Sequence, residues 1–466
     1  MNQNTDLIKT PPKGLAILAV VGPAFVWCAE YIGSGEVILA TRTGAILGAG
    51  VMWAIVVGIV LKYWIGMSGA RYTVCTGEGM MDMFSRMPGP KNLAVWIVVV
   101  AQFVSATISI GSLATAAGVF VSSLVPISPY VGGWLVTIFS LAVVWTGVFD
   151  LLKTVMSICV FIIVLGVLVV ALSVLPTFSD FMQGLSLQVP KVPEWALALG
   201  VNENPWREIL PLIGWSAGGF ASQVWYTYWV MGAGYGATAG RKDGEPADLS
   251  LLQSMTRASA EKIKGWCRVV YTDATIAMLI GNVVTLGFLT AGAGILGPNH
   301  LAPEGADVAL KLSTIFSSKW GTLGGLLFLL SGSAALISTQ IGQMAGWPRL
   351  LADAFRICIP GFQKKFAWKT QYRMFLLFFF CTNMILVYSF GLKPVVMVKL
   401  GAILDGLLLT PLQAFCLLLG LYVVMPKMLS QEAREVLRPH WIFAVGLALA
   451  FLVFGYFCVA QIPFVF

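Results

Sequence analysis

Residues 22–36, GPAFVWCAEYIGSGE, and residues 214–229, GWSAGGFASQVWYTYW, decide the fold. Each stretch lies within a long apolar run, and each has a pair of glycines near its middle. The glycines are Gly33 and Gly35 in the first stretch and Gly218 and Gly219 in the second. Because glycine costs about 1 kcal/mol relative to alanine in a helix interior, both stretches predict helices that are interrupted near their centres.

The composition around these stretches is that of a protein with many membrane spans. Of the 466 residues, 58% are hydrophobic and 11% are charged, whereas a soluble domain carries about 25% charged residues. We therefore predict an all-α integral membrane protein with a single transmembrane domain over 1–466. The apolar runs predict eleven transmembrane helices, at roughly 14–42, 45–68, 91–123, 129–148, 154–175, 207–234, 268–291, 320–346, 371–391, 395–424 and 441–462.

The distribution of basic residues predicts an orientation. Most of the 29 Lys and Arg residues fall on one side of the membrane if the N-terminus is cytoplasmic, and we assign Lys62 to this inner set. The predicted location is the inner (plasma) membrane, with a cytoplasmic N-terminus and an outer C-terminus. The basic residues lie in short loops rather than on one face of a soluble module, so we expect no nucleic-acid partner.

The two interrupted spans are the first and the sixth. They occupy corresponding places in two five-helix halves, about 14–175 and 207–424, with an extra helix at about 441–462. Inverted-repeat transporters place their discontinuous helices at such positions, with the substrate site between them. The pattern thus predicts a transporter with broken helices 1 and 6.

The residues of the first span resemble those of the NRAMP family of proton-coupled divalent-metal transporters. That family reads Gly-Pro-Gly and then Ala-Tyr-x-Asp-Pro-Gly-Asn, where this chain has Gly22-Pro23-Ala24 and then EYIGSGE over 30–36. Ala70-Arg71 and Thr76-Gly77 match the end of the family's second span. The similarity covers most of the chain and is closest over 22–77. It implies a LeuT-type inverted repeat and secondary active transport.

The chain departs from the family at the metal site. Gly33 stands where the family has its metal-binding aspartate, and Glu36 stands for the asparagine. Gly218-Gly219-Phe220 replaces the family's Met-Pro-His in the sixth span. The family's transition-metal ligands are therefore missing, and we predict no metal-binding residues of that kind and no cofactor.

Two kinds of substrate remain open. Glycine in place of larger residues predicts a widened, aromatic-lined cavity for a small organic solute, such as an aromatic carboxylate. Indole-3-acetate is an example, because some divergent NRAMP-like proteins resemble carriers of such acids. The alternative is a divalent cation, Mg²⁺ or Mn²⁺, held by side-chain and backbone oxygens. The residues predicted to bind substrate are Trp27, Tyr31, Gly33, Ser34, Gly35, Glu36, Trp215, Ser216, Gly218, Gly219, Phe220 and Gln223.

Carboxylates within the spans predict the coupling ion. An ionisable side chain at the middle of a membrane marks a functional site by default, and Glu30, Glu36 and Asp405 are of this kind. We expect one of them to carry a proton, which makes the protein a symporter with a small-molecule substrate, a proton and the lipid bilayer as partners. Coupling to Na⁺ is the alternative that the sequence leaves open. No nucleophile and base set of an enzyme occurs in the spans, and no repeated filter sequence of a channel is present.

Overall fold

The computed structural model describes residues 8–172, 177–241, 244–302, 304, 308–389 and 394–464. Within these ranges every regular element is a helix. Those of the first part of the chain are α1 Pro23–Tyr31, α2 Thr41–Leu47, α3 Met52–Thr76, α4 Met80–Ser85, α5 Leu93–Ser122, α6 Pro129–Val144, α7 Phe149–Leu172, α8 Phe178–Gly184 and α9 Glu194–Ala198. The all-α prediction is confirmed.

The second part of the chain begins with the two halves of the broken helix 6. Its helices are α10 Trp206–Trp215, α11 Phe220–Gly232, α12 Leu249–Gln253, α13 Arg257–Ala291, α14 Val308–Cys358, α15 Pro360–Lys365, α16 Trp368–Ser389, α17 Pro394–Gly406, α18 Thr410–Leu419, α19 Met425–Met428, α20 Gln431–Val436 and α21 Trp441–Tyr456. Helix α14 has a kink at Trp320 and Gly321, where the backbone leaves helical geometry.

Seven helices among the described residues are long and apolar enough to cross a membrane, and Pro129–Val144 is apolar but shorter. Large apolar side chains on the outer faces remain exposed, for example Phe161 at 69% and Leu452 at 62%. Such faces suit lipid rather than water. The count of eleven spans, the division into two halves and the orientation in the membrane stay predictions.

The second span is displaced from its predicted position at 45–68. Its helix begins at Met52 and ends at Thr76, because the chain first turns through Gly48, which has a φ of 69°. Gly77 ends the helix in the left-handed conformation, with its N–H donating to Thr73. The error in the predicted bounds follows from reading hydropathy alone, since the end of α3 contains buried polar residues such as Arg71.

The tenth span is broken, although the sequence predicts a continuous helix over 395–424. Helix α17 ends at Gly406 and α18 begins at Thr410, with Pro411 in its first turn. A side chain at Gly406 would collide with the carbonyl of Gly214, so α17 and α10 touch backbone to backbone here. This close approach brings the end of α17 against the break in helix 6.

Candidate functional site

The first break lies between α1 and a π-helical turn at Gly35–Ala40 that continues into α2. Ile32 leaves helical geometry with a ψ of 89°, and the Gly33 N–H donates to Glu36 Oε2 at 2.8 Å. Glu36 therefore places its carboxylate at the N-terminal end of the second half-helix, where an anion is stabilised. The predicted interruption at the glycines is confirmed, and the Glu36 side chain is part of it.

Hydroxyl groups of α14 complete the first break. Thr339 Oγ1 donates to the carbonyl of Ile32 at 3.3 Å, and Ser338 Oγ donates to the carbonyl of Ala29 at 2.7 Å. Carbonyls freed by a helix break inside a membrane need such donors, because no water is available in the hydrocarbon core. Helix α14 is thus a structural part of the site.

The second break separates α10 from α11. Ala217 and Gly218 both have positive φ, 56° and 75°, and Gly219 is extended. Glycine adopts a positive φ at no steric cost, so the sequence permits a sharp reversal at this point. The predicted interruption of helix 6 is confirmed.

Each side of this second break faces a charged side chain. At the end of α10, Lys62 of α3 donates to the carbonyls of Ile213, Gly214 and Gly218, at 3.4 Å for Ile213 and 2.6 Å for Gly218. At the start of α11, the Ala221 N–H lies 3.4 Å from both carboxylate oxygens of Asp405. The cation meets the negative end of one half-helix, and the carboxylate meets the positive end of the other.

The position of Lys62 corrects the sequence analysis. We assigned it to the inner loops, but it is fully buried in the middle of α3. Asp405 is likewise fixed within the protein, because Gln102 Nε2 donates to its Oδ1 at 2.7 Å.

A small cavity lies between the two breaks. Its volume is about 10 Å³, which is room for about one water molecule. Its lining contains six of the residues singled out by the sequence and two that were not, Thr339 and Gln343 of α14. The six are Glu30, Tyr31, Ser34, Gly35, Trp215 and Gly218.

Glu30 is the carboxylate that lines this cavity. Its Oε2 accepts a hydrogen bond from Ser222 Oγ, and Trp27 Nε1 donates to the same hydroxyl oxygen at 3.1 Å. The other two acidic candidates, Glu36 and Asp405, do not line the cavity and instead face backbone N–H groups. The structure thus separates one carboxylate that faces the cavity from two that cap helix ends.

The remaining predicted site residues lie around the cavity rather than in its wall. Trp27 stacks on Tyr226 with ring centroids 4.3 Å apart, and Phe220 stacks on Phe84 at 5.8 Å. Ser216 Oγ donates to Leu212 within its own helix, and Gln223 Nε2 donates to the Ala217 carbonyl at 2.7 Å. These side chains support the breaks and are one layer away from the cavity.

The cavity is not widened by the glycines, contrary to the expectation from the sequence. A side chain at Gly33 would collide with Thr339, and one at Gly219 would collide with Asp405. A Cβ at Gly35 would lie 2.6 Å from Cβ of Trp215. Neighbouring residues therefore occupy the volume that larger side chains would fill, and the glycines allow the half-helices to pack closely.

The side of the site toward α2 and α10 is closed by buried charges. Arg42 Nε lies 3.3 Å from Glu208 Oε2, and Lys399 Nζ lies 2.6 Å from Glu208 Oε1. Arg42 Nη2 also pairs with Glu304 at 2.7 Å. Glu208 thus joins three half-helices, α2, α10 and α17.

The opposite side is closed by Asp273 of α13. Its Oδ1 accepts from the Gly22 N–H at 3.2 Å, and its Oδ2 accepts from the Tyr226 hydroxyl at 2.8 Å. These bonds hold the beginning of α1 and the middle of α11 against α13. Buried polar contacts therefore hold the helices together on both sides of the site.

No group of three or more His, Cys, Asp or Glu residues that could hold a metal ion occurs in the part of the chain that the structure describes. Serine, threonine and backbone oxygens are the other ligands that a hard cation such as Mg²⁺ uses in proteins.

Comparison of the sequence with family models and with curated proteins gave no match. Solved structures do match. A manganese transporter of Eremococcus coleocola, solved with an aromatic bis-isothiourea compound, superposes with a TM-score of 0.65 at 14% identity, covering 99% of this chain and 92% of that chain. Mhp1, a nucleobase-cation-symport-1 family transporter with bound bromovinylhydantoin, gives a TM-score of 0.54 at 13% identity, covering 93% and 91%.

MhsT, solved in complex with L-phenylalanine, gives a TM-score of 0.54 at 12% identity, covering 95% of this chain and 99% of that chain. These proteins are transporters and not enzymes. The interrupted first and sixth helices, the site between them and the structural matches together show that this chain has the LeuT-type fold.

Proposed function

We propose that this protein is a secondary active transporter that carries a small organic solute with a planar ring, together with a proton. The observation that carries the proposal is the wall of the central cavity, where Glu30 lies beside Tyr31 and Trp215. The rings offer apolar faces on which a planar molecule can stack. Ser34, Thr339 and Gln343 add the few polar groups that orient a ligand in such a site.

Glu30 supports proton coupling in this proposal. A solute carboxylate next to an ionised Glu30 would be repelled, since two like charges in one buried site disfavour each other. Protonation of Glu30 removes the repulsion, so the solute and the proton bind together and leave together. Alternating access then requires that the charges at Glu208 and the bonds to Asp273 open in turn.

The similar structures provide support of a general kind. Bromovinylhydantoin and L-phenylalanine, the molecules bound to two of them, are small organic compounds with rings or planar groups. The cavity of this chain has room for about one water molecule, so a solute of that size requires the half-helices to separate. Carriers with a central site ordinarily open to admit the substrate and then close around it.

A second candidate function is transport of a divalent cation. It is favoured by the acidic side chains near the two breaks. Three carboxylates, those of Glu30, Glu36 and Asp405, lie there with the ammonium of Lys62. Hard cations such as Mg²⁺ and Mn²⁺ bind carboxylate, hydroxyl and carbonyl oxygens. This candidate requires Glu30 or Glu36 to turn away from its present partner and share an ion.

Ligand-induced stabilisation of the purified protein tests the proposal. A ligand that binds only the folded state raises the apparent unfolding temperature, and the panel compares aromatic and aliphatic carboxylates with Mg²⁺ and Mn²⁺. We expect an aromatic carboxylate to stabilise the wild type. In Trp215→Ala its Kd should rise roughly tenfold or more, because a lost ring contact removes about 1.5 kcal/mol or more.

Two control variants test whether the loss of binding is due to the aromatic ring at Trp215. Trp441→Ala removes a tryptophan that is 65% exposed on α21 and should leave the Kd unchanged. Trp215→Phe keeps an aromatic face and should restore most of the binding. Stabilisation by Mg²⁺ or Mn²⁺ alone, with no response to any aromatic solute, would favour the cation carrier instead.

A further inference from the structure

Lys62 is surrounded by backbone oxygen atoms. Its side chain is fully buried, and its Nζ contacts three carbonyls, those of Ile213, Gly214 and Gly218. All three belong to the last turn of α10 or to the break that follows it. The break leaves these carbonyls without the helical N–H donors they would otherwise have, so Lys62 supplies their hydrogen bonds.

This arrangement has the chemistry of a monovalent cation site. Unwound carbonyls and the C-terminal end of a half-helix form the sites at which carriers with broken helices coordinate Na⁺. The partial negative charge at such an end attracts any cation. Here the cation is an ammonium that is covalently attached to α3, and the ring of Phe454 lies 5.5 Å from it on another side.

Nearby carboxylates balance the ammonium. Asp405 and Glu36 are acidic groups whose charges favour a protonated Lys62. Glu36 lies at the start of the half-helix after the first break, and Asp405, near the end of α17, faces the start of α11. An isolated ammonium in a dry interior would be strongly unfavourable. The carbonyls and the two carboxylates together make the buried charge tolerable, and they would do the same for a small free cation.

We infer that Lys62 is a tethered cation that occupies, at the break of helix 6, the place of a coupling Na⁺, so that transport by this protein does not use Na⁺ there. The inference rests on the proposed function as a secondary transporter, but not on the identity of the solute. It also explains why the carbonyl cluster can exist in a protein that couples to protons through a different residue, Glu30.

Removal of the ammonium tests this inference. In Lys62→Ala the carbonyl cluster is retained and a space opens beside it. We expect this variant to unfold at a lower temperature than the wild type in choline chloride. Added Na⁺ or ethylammonium should restore part of the loss in a saturable manner, while the wild type should show no difference between NaCl and choline chloride.

Lys62→Met is the matched control, because it fills the space with an apolar chain of similar length. It should lose stability and show no response to Na⁺ or ethylammonium. The inference is overturned if Lys62→Ala shows no cation response, or if Na⁺ stabilises the wild type in a saturable manner.

A separate measurement covers the case in which Lys62→Ala does not fold. Solute uptake by the wild type in proteoliposomes should be the same in NaCl and in choline chloride, and an Na⁺ requirement would overturn the inference. Because the stability measurements need no solute, a failure of the organic-solute proposal leaves their outcome interpretable.

Discussion

Glu30→Gln is expected to reduce accumulation of the solute in response to a pH gradient by roughly tenfold or more, while solute exchange across the membrane continues. Glutamine resembles the protonated form of Glu30 in shape but cannot release a proton. It can still accept the hydrogen bond from Ser222, so the fold around α1 and α11 should persist. The variant would bind solute and let it equilibrate, but it could not use the proton gradient.

The two other buried carboxylates serve as matched controls for this experiment. Glu36→Gln and Asp405→Asn keep oxygen atoms that can accept from Gly33 N–H and Ala221 N–H, respectively. Neither residue lines the cavity, so both variants should still accumulate solute when a pH gradient is applied, although their stability is expected to decrease. Accumulation by Glu30→Gln at the wild-type level would rule out Glu30 as the proton carrier.

Glu208→Gln is expected to lower the free energy of unfolding by about 3–5 kcal/mol, which is the usual effect of leaving a buried charge without its partner. Two cations depend on this carboxylate, since Arg42 and Lys399 both contact it. The side chains of Glu208 and Arg42 are 4% and 2% exposed and that of Lys399 is 22% exposed, so little water reaches the place of the lost charge. Thermal or denaturant unfolding in detergent measures the change.

Two further variants distinguish this charge effect from a non-specific loss of stability. In Glu208→Gln combined with Lys399→Met, the lysine that loses its carboxylate partner is also removed, and part of the stability should return, since the effects of contacting residues are not additive. Glu435→Gln removes a glutamate that is 63% exposed and 4.0 Å from Arg257, and it should leave stability unchanged within error. A Glu208→Gln protein as stable as the wild type would show that this ion network does not hold the half-helices together.

The breaks in helices 1 and 6 could be predicted because they are local. Glycine pairs within an apolar run are visible in the sequence, and the low helix propensity of glycine acts where the glycine is. The break in the tenth span carried a similar but weaker signal in Gly406 and Pro411. The break was not predicted because the high hydropathy of 395–424 favours one continuous helix, even with Lys399 and Asp405 inside the run.

The wall of the cavity could be predicted only in part. Tyr31, Ser34 and Trp215 lie at the breaks and were found from them, whereas Thr339 and Gln343 come from α14 and meet the site only through tertiary packing. Their signal was a polar group, Ser338-Thr339-Gln340 and Gln343, within an apolar span. A polar residue on a membrane helix commonly faces the protein interior, and that rule would have pointed to α14.

Whether the glycines leave free volume in the site depends on neighbouring residues that the sequence alone does not locate. Gly33 and Gly219 suggest free space, because the NRAMP family has larger residues at the corresponding positions. Thr339 and Asp405 occupy that space instead. The same limit explains the misassignment of Lys62, since a lysine near the end of an apolar run resembles a loop residue. Its three carbonyl partners belong to α10 and to the break that follows it, 151 or more residues away in the chain.

Uptake by the wild-type protein in proteoliposomes tests the central claim most directly. Labelled indole-3-acetate, other aromatic carboxylates and Mn²⁺ are each supplied outside, with and without an inward proton gradient. The account predicts that an aromatic carboxylate accumulates only with the gradient, that a protonophore abolishes the accumulation, and that Mn²⁺ is neither accumulated nor a competitor. Accumulation of Mn²⁺ with no uptake of any carboxylate would contradict the account and identify the protein as a cation carrier.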